Sequence, residues 1–189
     1  MRHALLLAIV LPITFSYSEP TMAGPDGIAE GAPVELAHWA KLIGDWSTTE
    51  EGLNQAGTDW EASKGADWNF YWSFDGWGIR DDYTSPPMSE SVEDESKRQR
   101  GTNLRIYNTT TNQWVMTWLK PSSAQPQNFT ATSTFDEIVM SADDIDPQGN
   151  FRRITFLDMT DDSFDWKLEW SKDKEQWLEV YRIHGSRKQ

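Results

Sequence analysis

The sequence has no cysteine and only three histidines in 189 residues. The first absence removes disulfides, thiol chemistry and a lipid-modified cysteine anchor. The second leaves little to build a metal centre from. No two histidines fall at i, i+4 or His-x-His spacing, so no metal site is expected. Basic residues are also scarce: 17 Lys and Arg stand against 30 Asp and Glu, for a net charge of −13. Phosphate recognition and binding to anionic lipid both need a basic face, so neither nucleic acid nor a membrane surface is an expected partner. The glycine-rich phosphate loop, the dinucleotide glycine run and the Gly-x-Ser-x-Gly elbow are missing too. The expectation is therefore no cofactor and no assigned catalytic residue. Oligomeric state leaves no trace in the sequence.

Long hydrophobic runs are absent as well. Ala4 to Phe15 is apolar over roughly a dozen residues and follows Arg2, which is too short for a membrane span and has the layout of a secretory signal. Residues 1–18 are expected to be that signal, and the mature protein to be secreted or periplasmic. Residues 19–32, with Pro20, Gly24, Pro25, Gly27 and Gly31, read as a flexible leader. One domain is expected over 33–189.

Aromatic residues are abundant: 11 Trp, 8 Phe and 5 Tyr. Each buries a large surface, so a core is within reach despite the high polarity. Leu36, Trp39, Ala40 and Ile43 recur at i, i+3, i+4 and i+7, which predicts a short helix after Pro33 that ends at Gly44. From Asp45 onward the pattern changes to alternation and polar turns, and about ten strands are predicted. The clearest faces are Trp68, Phe70, Trp72 and Phe74, then Trp114, Met116 and Trp118, then Phe164, Trp166, Leu168 and Trp170. Asp75-Gly76 predicts a tight turn into a strand with Trp77, Ile79, Asp81 and Tyr83 on one face. Residues 85–101 are nearly devoid of apolar side chains and read as a long charged connection, or a lid over an open barrel end. Short turns imply antiparallel neighbours, and so long a serial sheet must close or fold into two layers to manage its edges.

Gly44-x-Trp46 after a short helix resembles the opening of lipocalin-like (calycin) barrels. Asp75 to Tyr83, Asn103 to Asn108 with Trp114 and Trp118, and Asp158 to Trp166 are similar to bacterial lipocalin-like domains of unassigned function. The resemblance runs over roughly Leu36 to Arg187. It implies an all-β, antiparallel up-and-down barrel with one short N-terminal helix, a structural role for Gly44 and Trp46, and a basic residue across Trp46, for which Arg182 and Arg187 are the candidates. It implies a small-molecule site and no reaction.

A small barrel either fills its interior or holds one ligand. Trp68, Phe70, Trp72, Asp81, Tyr83, Trp114, Met116, Trp118 and Trp166 are the candidate lining of a pocket for a small hydrophobic or aromatic ligand. The same aromatics serve equally as plain core. A buried Asp81 would need a partner such as Arg105 or Arg152. Three functions stay open: a ligand-binding barrel, an enzyme with Asp81, Tyr83 or His184 as acid or base, and an interaction module with a filled core. His184, in the last strand, resembles the C-terminal-strand histidine that some haem-binding calycins of the nitrobindin type use as a ligand, and the rest of that pattern is not matched.

Overall fold

The computed structural model describes residues 27–189, so the expected signal segment and most of the leader lie outside the described residues. Eleven strands follow one another: β1 (Gly44–Leu53), β2 (Trp60–Ala62), β3 (Asp67–Ser73), β4 (Gly78–Ser85), β5 (Gln99–Asn108), β6 (Gln113–Leu119), β7 (Gln127–Ser133), β8 (Ile138–Ala142), β9 (Phe151–Leu157), β10 (Ser163–Ser171) and β11 (Leu178–Arg187). From β3 to β11 each strand pairs antiparallel with the next, and β11 returns to pair with β1 from Trp46↔Arg187 to Gly52↔Tyr181. Ten strands thus close a barrel and leave no long open edge. β2 is the extra strand, held only on residues 51–53 of β1. A turn at Gly65, where φ is +71°, divides it from β3.

Alternation does what the sequence required of it. In β6, Trp114 and Met116 are fully buried while Val115 between them is half exposed. Inward residues come from every barrel strand and form a continuous core, with Trp68 in edge or tilted contact with Phe70, Tyr83, Phe156, Phe164 and Trp166.

One end of the barrel is closed by the N-terminal helix, Val34–Leu42. It is a 3₁₀ helix, not the α-helix the spacing suggested. With three residues per turn, Leu36, Trp39 and Leu42 stack on one line and are fully buried, whereas Ala40 is exposed and Ile43 only half-buried. Trp39 packs edge-on against Trp114 and Phe156 at 5.7 and 5.5 Å between centroids. Residues 27–32, within the expected leader, are also packed: Ile28 and Ala32 touch the core, and the Ala29 amide donates to the Gly76 carbonyl at 3.2 Å.

The Gly-x-Trp pair sits where the helix hands over to β1. Trp46 is fully buried and its indole N–H donates to the Leu42 carbonyl at 2.7 Å. Gly44 has φ +127°, and a Cβ there would run into the Arg187 guanidinium, so glycine is required on two counts. The Arg187 guanidinium lies 4.1 Å from the Trp46 ring centroid. Arg182 is elsewhere: it faces outward, donates to Glu51 at 2.7 Å and stacks on Trp60 at 4.2 Å.

Two local expectations fail for an identifiable reason. Phe74 and Trp77 do not continue the inward faces of β3 and β4. They flank a turn in which Phe74 and Asp75 take φ near +50°, and both aromatics are about half exposed, at 53% and 48%. The inner face of β5 is polar. Asn103 and Arg105 are buried inside and Ile106 is 49% exposed.

Candidate functional site

Asp81 and Arg105 form the polar centre of the interior. Both side chains are fully buried, on neighbouring strands β4 and β5, and they are ion-paired. The Trp68 indole N–H donates to the same carboxylate at 2.8 Å. The Arg105 guanidinium also stacks 4.4 Å from the Trp39 ring. Burial pushes the Asp81 carboxyl up, against the pull of Arg105 and the Trp68 N–H; burial pushes Arg105 down, against Asp81. This pairing explains the polar inner face of β5: a buried carboxylate demanded a cation opposite it, and that requirement outweighed the apolar pair Leu104 and Ile106.

A second buried carboxylate, Glu50 on β1, has only hydroxyl side-chain partners among the described residues. Tyr83 OH donates to its two oxygens at 2.9 and 3.0 Å, Tyr181 OH at 2.7 Å, Thr48 Oγ1 at 2.7 Å and Ser63 Oγ at 3.2 Å. Burial, then the charge of Glu50, raises the Tyr83 phenol well above its ordinary range. Tyr181 is pushed up to about 12, chiefly by burial, with Ser63 opposing and Glu50 assisting. Nothing in the apolar periodicity singled out Glu50, because its partners come from four separate segments.

Between these two polar centres the barrel is not filled. A cavity of about 370 Å³ opens toward the end away from the helix. Its aromatic wall is Trp68, Tyr83, Trp118, Phe129, Phe156 and Trp166, with Met140, Ile154, Leu168 and Ile183 completing the apolar part. Polar groups are Asn103, Arg105 and Tyr181 in the wall, and Gln99, Lys120, Gln127 and Arg152 at or beside the strand ends that form the mouth.

Of the nine residues expected to line a pocket, Trp68, Tyr83, Trp118 and Trp166 line this cavity. The other five do not. Phe70 is buried against Trp68, Phe156 and Phe164, and Trp114 against Trp39 and Tyr107. Met116 is fully buried in the same core. Trp72 lies so close to Gly27 that any side chain there would strike its ring. Asp81 sits behind Arg105, outside the cavity lining. The shared reason is position along the strand. At the closed end inward side chains meet the helix; farther up they meet one another across an open lumen.

The acid–base trio is not assembled. His184 faces outward, with its side chain 53% exposed and Nδ1 2.7 Å from Asp165. It therefore does not fit an axial haem ligand inside the barrel. The Nδ1 of His38 lies 2.8 Å from Ser133 Oγ, which also accepts from the Trp114 indole N–H. His184 and Arg182 instead border an outer groove of about 650 Å³ beside the β2 arm. Arg182 is ion-paired there with Glu51, and Lys64, Lys167 and Glu179 also line the groove. Among the described residues no group of three or more His, Cys, Asp and Glu is placed to hold a metal ion.

Two solved structures share this architecture. Rv2717c from M. tuberculosis superposes with a TM-score of 0.54 at 12% identity, over 84% of this chain and 99% of that one. The S-type phycobiliprotein lyase CpeS from Guillardia theta gives 0.50 at 11% identity, over 81% of this chain and 92% of that one. At such identities the likeness is one of fold, and it fits a lipocalin-like barrel. No protein-family model matches the sequence, and no curated protein does.

Proposed function

We propose that the protein is a binding protein that holds one small, largely apolar or aromatic molecule inside its barrel. The observation that carries this is the cavity itself: about 370 Å³, walled by Trp68, Trp118, Trp166, Phe129 and Phe156, and open at one end. It falls in the lower part of the range of about 300–1,000 Å³ common for small-molecule sites, which suits a ligand of a few fused rings. The two buried acids beside the lumen are already engaged, Asp81 with Arg105 and Glu50 with four hydroxyl groups, which favours retention over reaction. Export is part of the same reading. Arg2 followed by the apolar run Ala4 to Phe15 supports removal of residues 1–18 and a secreted or periplasmic mature protein.

The test is a titration with N-phenyl-1-naphthylamine, a neutral ring probe whose fluorescence rises out of water. The wild-type protein should saturate at one probe per chain, and Ile154→Trp, which fills the lumen, should abolish the signal. Equal binding by Ile154→Trp, or no binding by the wild type, would overturn the reading. For export, the intact mass of protein recovered outside the cytoplasm should lack the first 18 residues.

A further inference from the structure

The cavity has a charge sign opposite to that of the protein. The chain carries 30 acidic and 17 basic residues, yet the Lys, Arg, Asp and Glu side chains in the lining are Arg105, Lys120 and Arg152, with no carboxylate among the described residues that line it. The two acids nearest the lumen are withdrawn behind the wall and occupied. Asp81 is taken up by Arg105 and Trp68, and Glu50 by the hydroxyls of Tyr83, Tyr181, Thr48 and Ser63. Arg105 is thereby neutralised in place. Lys120 and Arg152 are not.

Lys120 follows the end of β6 and, among the described residues, enters no ion pair. Arg152 enters the lumen from the start of β9, its guanidinium 5.9 Å from the Phe129 ring. Its side chain is 14% exposed, and among the described residues its one ionic partner is Asp144, itself 64% exposed and bound through Nη2 at 2.6 Å. A partner so exposed is screened by water and balances the charge weakly. The Nε of Arg152 is buried and has no protein acceptor among the described residues. A buried donor left unsatisfied is costly, and an acceptor arriving with the ligand would relieve it. Gln99 and Gln127 stand at the same mouth with amide groups able to donate.

We propose that the ligand is a planar acid, with its ring system among Trp68, Trp118, Trp166 and Phe156 and a carboxylate at the mouth on Arg152 and Lys120. A guanidinium fork matches the two oxygens of a carboxylate, and the low-dielectric rim strengthens the pair. The acid group faces outward, so the ligand enters ring first. In a protein of net charge −13, an anion would otherwise be repelled, and the basic rim supplies local attraction. The inference rests on the cavity being a binding site and adds the chemical class of what it takes.

The test uses 2-naphthoate and its neutral isostere 2-naphthamide, measured by calorimetry on the full-length mature protein at pH 7.5 and low salt. The expected result is that naphthoate binds about tenfold or more tightly than the amide. That ratio should fall below about threefold in Arg152→Gln and shrink in Lys120→Gln, and it should narrow as salt rises. Equal affinity for acid and amide would overturn the inference, as would a preference for the acid that survives in both variants. Binding of N-phenyl-1-naphthylamine by the same samples separates the two levels. If that probe binds and the naphthoate preference is absent, the anion site is wrong and the cavity reading stands; if the probe also fails to bind, both fall. Lys120 is half-buried at a loop edge, so its variant serves even if Arg152→Gln does not fold.

Discussion

The Arg187 guanidinium lies flat across Trp46, 4.1 Å from the ring, and donates from Nη1 to the Ile43 carbonyl at 2.9 Å and from Nη2 to the Lys41 carbonyl at 2.6 Å. One side chain at the end of the last strand thus caps the helix that closes the barrel and covers the tryptophan that begins the first strand. It also satisfies carbonyls that the helix end would leave without partners.

Arg187→Ala should destabilise the protein by about 2 kcal/mol or more, from a lost cation–π contact and two exposed-to-burial carbonyls. Arg187→Lys should restore less than half of the loss, because an ammonium cannot span both carbonyls while stacking. Arg182→Ala, on the outer face, should change stability by no more than about 0.5 kcal/mol. Urea unfolding followed by tryptophan fluorescence measures all three. Equal effects at 182 and 187 would contradict the assignment.

Breaking the Asp81–Arg105 pair from one side leaves a charge buried without its counterion. Asp81→Ala should cost about 3–5 kcal/mol. The double variant Asp81→Leu with Arg105→Met should recover most of this, since an apolar pair of similar size removes both desolvation penalties. A double variant no more stable than Asp81→Ala would mean that the pair is needed for the fold itself.

The hydroxyl cluster around Glu50 predicts an alkaline limit. Tyr83 and Tyr181 both have folded-state pKa values above the ordinary 10, Tyr181 at about 12. A raised value means that the stabilisation is complete below pH 10 and is lost as the pH climbs through the folded-state values. Stability should therefore decline from pH 10 to 12 and beyond. Absorbance at 295 nm should show part of the phenols ionising late, together with unfolding. Glu50→Gln should bring Tyr181 only partway back toward 10, because burial is the larger cause. A single phenolic transition near pH 10 would refute this account.

His184→Ala should leave the affinity for N-phenyl-1-naphthylamine within about twofold, since the imidazole points away from the lumen toward Asp165. Trp118→Ala and Trp166→Ala should each weaken it about tenfold or more, as wall aromatics do. A loss at His184 matching that at Trp118 would place the probe in the outer groove instead.

Local periodicity carried most of the fold. A strand with one dry face must alternate, so Trp68, Phe70 and Trp72, or Trp114, Met116 and Trp118, announced their strands and their inward direction without any knowledge of neighbours. Short polar turns announced antiparallel order. Periodicity misread the segments in which another demand outweighed it. Leu36, Trp39 and Leu42 obey a three-residue repeat that the i+4 pattern obscured, and β5 turns Arg105 inward against its own apolar residues because Asp81 waits on β4.

The sequence by itself therefore determined a serial run of antiparallel, aromatic-rich strands, since these depend on spacing along the chain; closure into a barrel was implied only by the resemblance at Gly44 and Trp46. Only the tertiary structure decided which inward side chains are core and which face a void. That depends on height in the barrel: Trp72 and Trp114 meet packed neighbours at the closed end, whereas Trp118 and Trp166 meet an open lumen. It likewise decided that Arg187 and not Arg182 reaches Trp46, and that Lys120 and Arg152 share one mouth. Such pairings join residues far apart in the chain, and no local spacing encodes them.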